Sequence, residues 1–254
     1  MLAAGVGRRL ARMGDRPKCL LEFGGKTLLE RHIEILRGAG VRQLVIGLGF
    51  EASRVEAHLA RASHGIDVKT VFNPNYEQGS VVTLWALREH LDSDLLLMDA
   101  DVLYDDPIMQ RLCSTGFSNA FLLDRDFEPG EEPVKLCVRD GTLVDFRKKV
   151  EADFDWCGES VGFFRFAQKT ARRLAHVAER YVQKQAVSEP YEEAIRDLLL
   201  AEPQQFGYED ITGLPWIEID FPEDVQRARN EVLPLLEQVT RSKMNARVMA
   251  ISAT

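Results

Sequence analysis

Hydrophobic periodicity in the first hundred residues is what most restricts the fold, because it switches repeatedly between helix and strand spacing. Leu28–Arg37 places apolar residues at 28, 29, 33, 35 and 36, one face of a helix, and Gly38 and Gly40 end it. Val41–Leu48 follows as a short apolar run rich in β-branched residues, the pattern of a buried strand. Ser53 stands where it would cap a helix over about Arg54–Ala62. Val68–Phe72 reads as a second strand, Val81–His90 as a second helix and Asp94–Met98 as a third strand. Strands joined by helical crossovers at this spacing predict an α/β, Rossmann-like fold: a mostly parallel central sheet with helices on both faces.

From about Ser118 the pattern changes. Ala120–Leu123, Val134–Val138, Thr142–Arg147 and Val161–Arg165 read as strands separated by turn residues, an added antiparallel section. Thr170–Gln185 and Tyr191–Ala201 read as helices, Trp216–Ile219 as a last strand and Glu223–Val239 as a closing helix. With no internal repeat or low-complexity linker, one domain over residues 1–240 is expected, followed by a loosely ordered tail at 241–254. Met1–Ala4 supplies only the end of a first strand, since strands usually have about five or six residues. Either the first strand is stunted or the natural chain begins a few residues upstream, and the second is the expectation.

Charge limits the partners. The 254 residues include 32 Lys and Arg against 40 Asp and Glu, a net charge of −8, so a nucleic acid or an anionic membrane would be repelled by most of the surface. No apolar run approaches the roughly 20 residues of a membrane span. Four scattered cysteines and five scattered histidines suggest reduced thiols and no structural zinc, and a soluble cytoplasmic protein is the expectation. A phosphate-bearing substrate would need a local basic pocket and a metal to offset its charge.

Two segments supply such chemistry. Leu2-Ala3-Ala4-Gly5-Val6-Gly7 runs into Arg8 and Arg9, a strand end entering a glycine loop whose N–H groups can face phosphate oxygens. Neither a dinucleotide fingerprint nor a Walker loop is present. Pro17 restricts the backbone and aims Lys18, a compact cation suited to phosphate. The second segment is Asp99-Ala100-Asp101, at the carboxyl end of an apolar strand, where open parallel sheets bind ligands. The two acids face one side if the strand continues through them. Asp220 closes another short strand and is either a metal ligand or the cap of the following helix.

Together with Gly24-Gly25-Lys26-Thr27, these motifs resemble the nucleotidyltransferase superfamily that makes nucleotide-activated sugars and alcohols, a nucleotide-diphospho-sugar transferase type of fold. The resemblance implies that Leu2 to Gly7 wrap a nucleoside triphosphate, and that Lys18 and Arg9 act on its phosphates. It further implies that Asp101 and Asp220 hold Mg2+, with Asp99 in a lesser role. Asn73–Trp85 is similar to the base-recognition stretch of cytidylyltransferases acting on phosphocholine, which implies CTP and roles for Gly79 and Ser80. The match is imperfect, because Ser80-Val81 stands where those enzymes have paired asparagines. Ser80 is otherwise a helix cap. Glu159 and Glu192 are candidates for the acceptor, Glu192 or Glu193 by attracting an amine, or else are ordinary exposed charges.

The expected reaction is attack of an acceptor phosphate oxygen on the α-phosphorus, with pyrophosphate leaving. No general base is required, because a phosphate dianion is already nucleophilic. Phosphocholine, phosphoethanolamine, 2-aminoethylphosphonate and inositol phosphate are the open acceptors. The rivals are a sugar-1-phosphate nucleotidyltransferase using another triphosphate, a metal-dependent glycosyltransferase and a silent regulatory homologue. Oligomeric state is not encoded in any recognisable pattern.

Overall fold

A computed structural model describes residues 1–13, 16–61, 64–128 and 130–238, so the expected tail at 241–254 lies outside the described residues. The chain opens with β1 (Leu2–Ala3), a 3-10 helix (Arg8–Met13), the β2–β3 hairpin (Glu22–Phe23, Lys26–Thr27) and α1 (Leu28–Gly38). Next come β4 (Gln43–Leu48), α2 (Ala52–Leu59), β5 (Asp67–Phe72), α3 (Ser80–Ala86), β6 (Leu95–Met98), β7 (Val102–Tyr104) and α4 (Asp106–Ser114). The second half contains β8 (Asn119–Asp124), β9 (Lys135–Arg139), β10 (Thr142–Arg147) and β11 (Trp156–Phe166). It closes with α5 (Gln168–Gln183), α6 (Tyr191–Ala201), β12 (Phe206–Asp210), β13 (Trp216–Glu218) and α7 (Pro222–Arg227).

β1, β4 and β5 form the parallel sheet, and a single parallel bridge between Leu2 and Asp99 joins it to the end of β6. β6 pairs antiparallel with β11, which also pairs with β8 and β9, so the parallel core passes into the curled antiparallel section. The sequence pattern anticipates this division. Helices cover both faces. Along β8, Phe121 and Leu123 pack into one apolar cluster with residues of α3, α5 and α6. Ala120 and Leu122 pack into the opposite cluster with residues of α1, α2 and α4. That alternation is why β8 reads as a continuous apolar run: both of its faces are covered.

Several local expectations are corrected. α2 starts at Ala52 after Glu51, which adopts φ 50°, so Ser53 lies inside the helix and caps nothing. The helix expected over Val81–His90 stops at Ala86 and resumes as a 3-10 turn at Arg88–His90. β7, α4 and the parallel strand β12 were not anticipated. β12 alternates only weakly, being half-buried along most of its length, and its place beside β8 is a tertiary fact. The four cysteines are free thiols, as expected. No helix among the described residues is long and apolar enough to cross a membrane.

Candidate active site

The carboxyl ends of β1 and β6 and the start of α7 meet at one cleft. A cavity of about 260 Å³ there is lined by Ala3, Gly5, Gly7, Arg9, Lys18, Asp101 and Asp220. Gly7 has φ +61°, and the stem of Lys18 runs over it: a Cβ on Gly7 would lie 3.3 Å from Lys18 Cγ. Pro17 precedes the short 3-10 turn that starts at Lys18. The lysine is thus aimed by a rigid turn and by the missing side chain beneath it.

Lys18 Nζ donates to Asp101 Oδ2 at 2.8 Å and to Asp220 Oδ1 at 2.5 Å. Burial alone would lower the Lys18 ammonium, but Asp101 and Asp220 beside it hold it well above the ordinary lysine value. Burial works to raise Asp220, yet Lys18 and then Arg9 hold that carboxyl below the usual range. Arg9 contacts Asp220 Oδ2 at 3.3 Å, and its guanidinium lies 4.7 Å from the centre of the Phe221 ring. Asp220 does not cap α7. Asp224 accepts from the Phe221 N–H at 2.7 Å and from the Asp220 N–H at 3.0 Å, which leaves the Asp220 side chain free to face the cleft.

Asp99 and Asp101 do not project side by side, because β6 ends at Met98 and the backbone turns between them. Asp99 accepts from the Tyr191 hydroxyl at 2.6 Å instead. Burial, and then Asp101 and Glu192, raise its carboxyl well above the usual range. Glu218 joins the expected pair: single oxygens of Asp101, Glu218 and Asp220 all lie within 4.8 Å of one another. Hard carboxylate oxygens gathered this closely suit a divalent cation such as Mg2+. Glu218 was legible in principle. In Trp216-Ile217-Glu218-Ile219-Asp220 the buried Ile217 and Ile219 alternate with two acids, which therefore share a side.

The remaining predicted residues lie elsewhere. Ala4 accepts from the Phe50 N–H at 3.1 Å, and neither it nor Val6 lines the Lys18 cavity. Gly79 lies outside that cavity too. A Cβ there would stand 2.3 Å from the Glu189 carbonyl oxygen, so the close approach expected for a nucleotide base is made by the protein's own backbone. Ser80 accepts from the Tyr191 N–H at 2.9 Å and so caps α6 across space rather than its own helix.

Glu159 and Glu192 line separate cavities. Glu159 lies on β11 in an open pocket of about 600 Å³ with Glu132, Trp216 and Asp220. Glu192 lines a cavity of about 60 Å³ with Asp99, Lys148 and Glu218. Glu132, unforeseen in the sequence, pairs with Arg9 at 3.0 Å and with Lys148 at 3.1 Å, tying the two pockets together.

Burial, and then Asp124, push the Glu159 carboxyl up from about 4.5 to about 7. A carboxyl raised on folding costs stability progressively between those two values and in full above them. Because Glu159 lines an open pocket, solvent offsets much of that cost, and Glu159→Gln should raise the thermal midpoint at pH 8 by about 2–4 °C, with no gain at pH 4.5. Equal shifts at both pH values would show that the carboxyl is not strained by burial.

A model of the MobA-like NTP transferase domain matches residues 1–143 of the 254. The chain belongs to that family. It is 29% identical, over 94% of its length, to a protein from Streptomyces rubellomurinus named CMP-5'-(3-aminopropyl)phosphonate synthase. It is 26% identical, over 92% of its length, to a bifunctional IPC transferase and DIPP synthase from Rubrobacter xylanophilus. The chain spans 39% and 51% of the lengths of these two relatives. Its fold is that of a CTP:phosphocholine cytidylyltransferase from Streptococcus pneumoniae, with a TM-score of 0.72 at 20% identity and coverage of 94% of this chain and 96% of that one. In this NTP transferase domain the matched region contains the glycine loop, Lys18 and Asp101, whereas Glu218 and Asp220 come from beyond it.

Proposed function

We propose that the protein transfers a cytidylyl group from CTP to a small phosphate or phosphonate acceptor and releases pyrophosphate. The observation carrying this reading is the meeting of Lys18, Asp101 and Asp220 beside Gly5 and Gly7, from segments as far as 202 residues apart. The relatives favour CTP, since their names include a CMP-phosphonate synthase and a CTP-dependent cytidylyltransferase.

Two anions must react, so the chain's task is to offset charge and fix geometry. Asp101 and Asp220, joined by Glu218, would hold Mg2+. When bound, that ion supplies Lewis-acid stabilisation of phosphate charge. The loop from Leu2 to Gly7 offers backbone N–H groups to the triphosphate, Lys18 and Arg9 neutralise the departing pyrophosphate, and Asp99 keeps α6 against β6 through Tyr191. Gly79 and Ser80 support the site by holding the 187–191 backbone. Glu159 and Glu192 face the acceptor side. The acceptor's phosphate or phosphonate oxygen is itself the nucleophile, so no general base is required.

The test is pyrophosphate release with each of the four ribonucleoside triphosphates, Mg2+ and a panel of phosphate, phosphonate and sugar-1-phosphate acceptors. Release with CTP and a non-sugar acceptor is expected. Release that requires a sugar-1-phosphate and another triphosphate would replace this reading with the sugar nucleotidyltransferase alternative.

A further inference from the structure

We propose that the small cavity between α6 and β11 receives the primary ammonium group of the acceptor, with Glu192 as its main partner. The acceptor is then a short amine-bearing phosphate or phosphonate, neither a neutral polyol phosphate nor a quaternary ammonium. This rests on the transfer reaction proposed above and names the substrate class of the same site.

Charge is the first argument. Four carboxyl groups line the cavity, those of Asp99, Glu132, Glu192 and Glu218, against one cation, Lys148. Lys148 already has a partner in Glu132, and Asp99 accepts from Tyr191. Glu192 differs from them. Its Oε2 atom is buried and has no hydrogen-bond partner among the described residues. A buried carboxylate oxygen without a donor is costly to maintain, and an ammonium carries three donors on a compact charge. Phe146 and Phe164, both fully buried, form the apolar part of the wall and strengthen any charge pair beside them.

The missing donor is the second argument. Glu192 Oε2 lacks a hydrogen bond, and a trimethylammonium group has no N–H to supply one. Position is the third. Glu218 lines this cavity and also belongs to the cluster with Asp101 and Asp220. One short molecule can therefore place its ammonium against Glu192 and its phosphorus oxygen at the reacting centre.

The test is calorimetric titration of the full chain, independent of turnover, with 2-aminoethylphosphonate, its isostere propylphosphonate, which lacks the ammonium, and phosphocholine. The amine should bind at least about tenfold more tightly than either other compound, the scale of one charge-assisted contact. Glu192→Gln should bring 2-aminoethylphosphonate to within about twofold of propylphosphonate without weakening propylphosphonate. Propylphosphonate or phosphocholine within twofold of the amine on the unmodified chain overturns the proposal, whether or not the variant folds. An amine preference that survives in folded Glu192→Gln also overturns it. If the preference holds while CTP yields no pyrophosphate with any acceptor, the transfer reaction fails and the ammonium site stands.

Discussion

Lys18→Ala is expected to lower turnover by about 10²–10³-fold, the scale of losing one preorganised electrostatic stabiliser, while the protein stays folded. Lys18 is partly buried, and its charged end pairs with the two acids while its stem runs over Gly7, so its removal takes no side chain from the apolar clusters. It does leave Asp101 and Asp220 facing each other without their shared cation. With that cation gone the two acids carry more uncompensated negative charge and attract a divalent ion more strongly, so the variant's residual rate should saturate at less Mg2+ than the unmodified protein's. Steady-state kinetics across a magnesium series, with circular dichroism as the folding control, measures both effects. A variant with unmodified turnover would remove Lys18 from the reaction.

Gly162→Ala should destabilise the protein by about 2–3 kcal/mol and disturb the site from within. Gly162 has φ +76°, and a Cβ there would lie 2.3 Å from Asp99 Oδ2. That oxygen accepts from Tyr191, and the Gly162 carbonyl in turn accepts from the Asp99 N–H at 3.1 Å. The new methyl must displace the Asp99 carboxyl and with it the link between β6 and α6. Gly141 is the internal control: its φ is +72°, yet nothing lies within 4 Å of the position its Cβ would occupy. Gly141→Ala should therefore cost only the backbone part, about 1 kcal/mol. Urea unfolding of the two variants separates clash from backbone strain, and equal losses would show that Asp99 gives way freely.

How much of this was legible in the sequence depended on whether the signal was local. α1 and β4 were readable because helix and strand spacing each complete within one segment. The glycine loop, Lys18 and the two late-meeting acids were readable from residue type and place at strand ends. The fate of Asp99 was not, since its partner Tyr191 is 92 residues away and only the turn after β6 aims it there. Gly79 is read only in part for a related reason: a glycine signals a close approach, but not what approaches. Ambiguity at Asp220 was resolved by Asp224, whose carboxylate takes the capping bonds. Glu132 had no periodic pattern at all, and its role depends on where two distant cations, Arg9 and Lys148, come to rest.

Titration of Mn2+, as a stand-in for Mg2+, in the presence of CTP tests most directly whether residues from three distant segments form one metal–nucleotide centre. The unmodified chain should take up one nucleotide-dependent ion, and the Asp101→Asn, Asp220→Asn double variant, still folded, should lose it. Undiminished uptake by that variant would contradict the site built here.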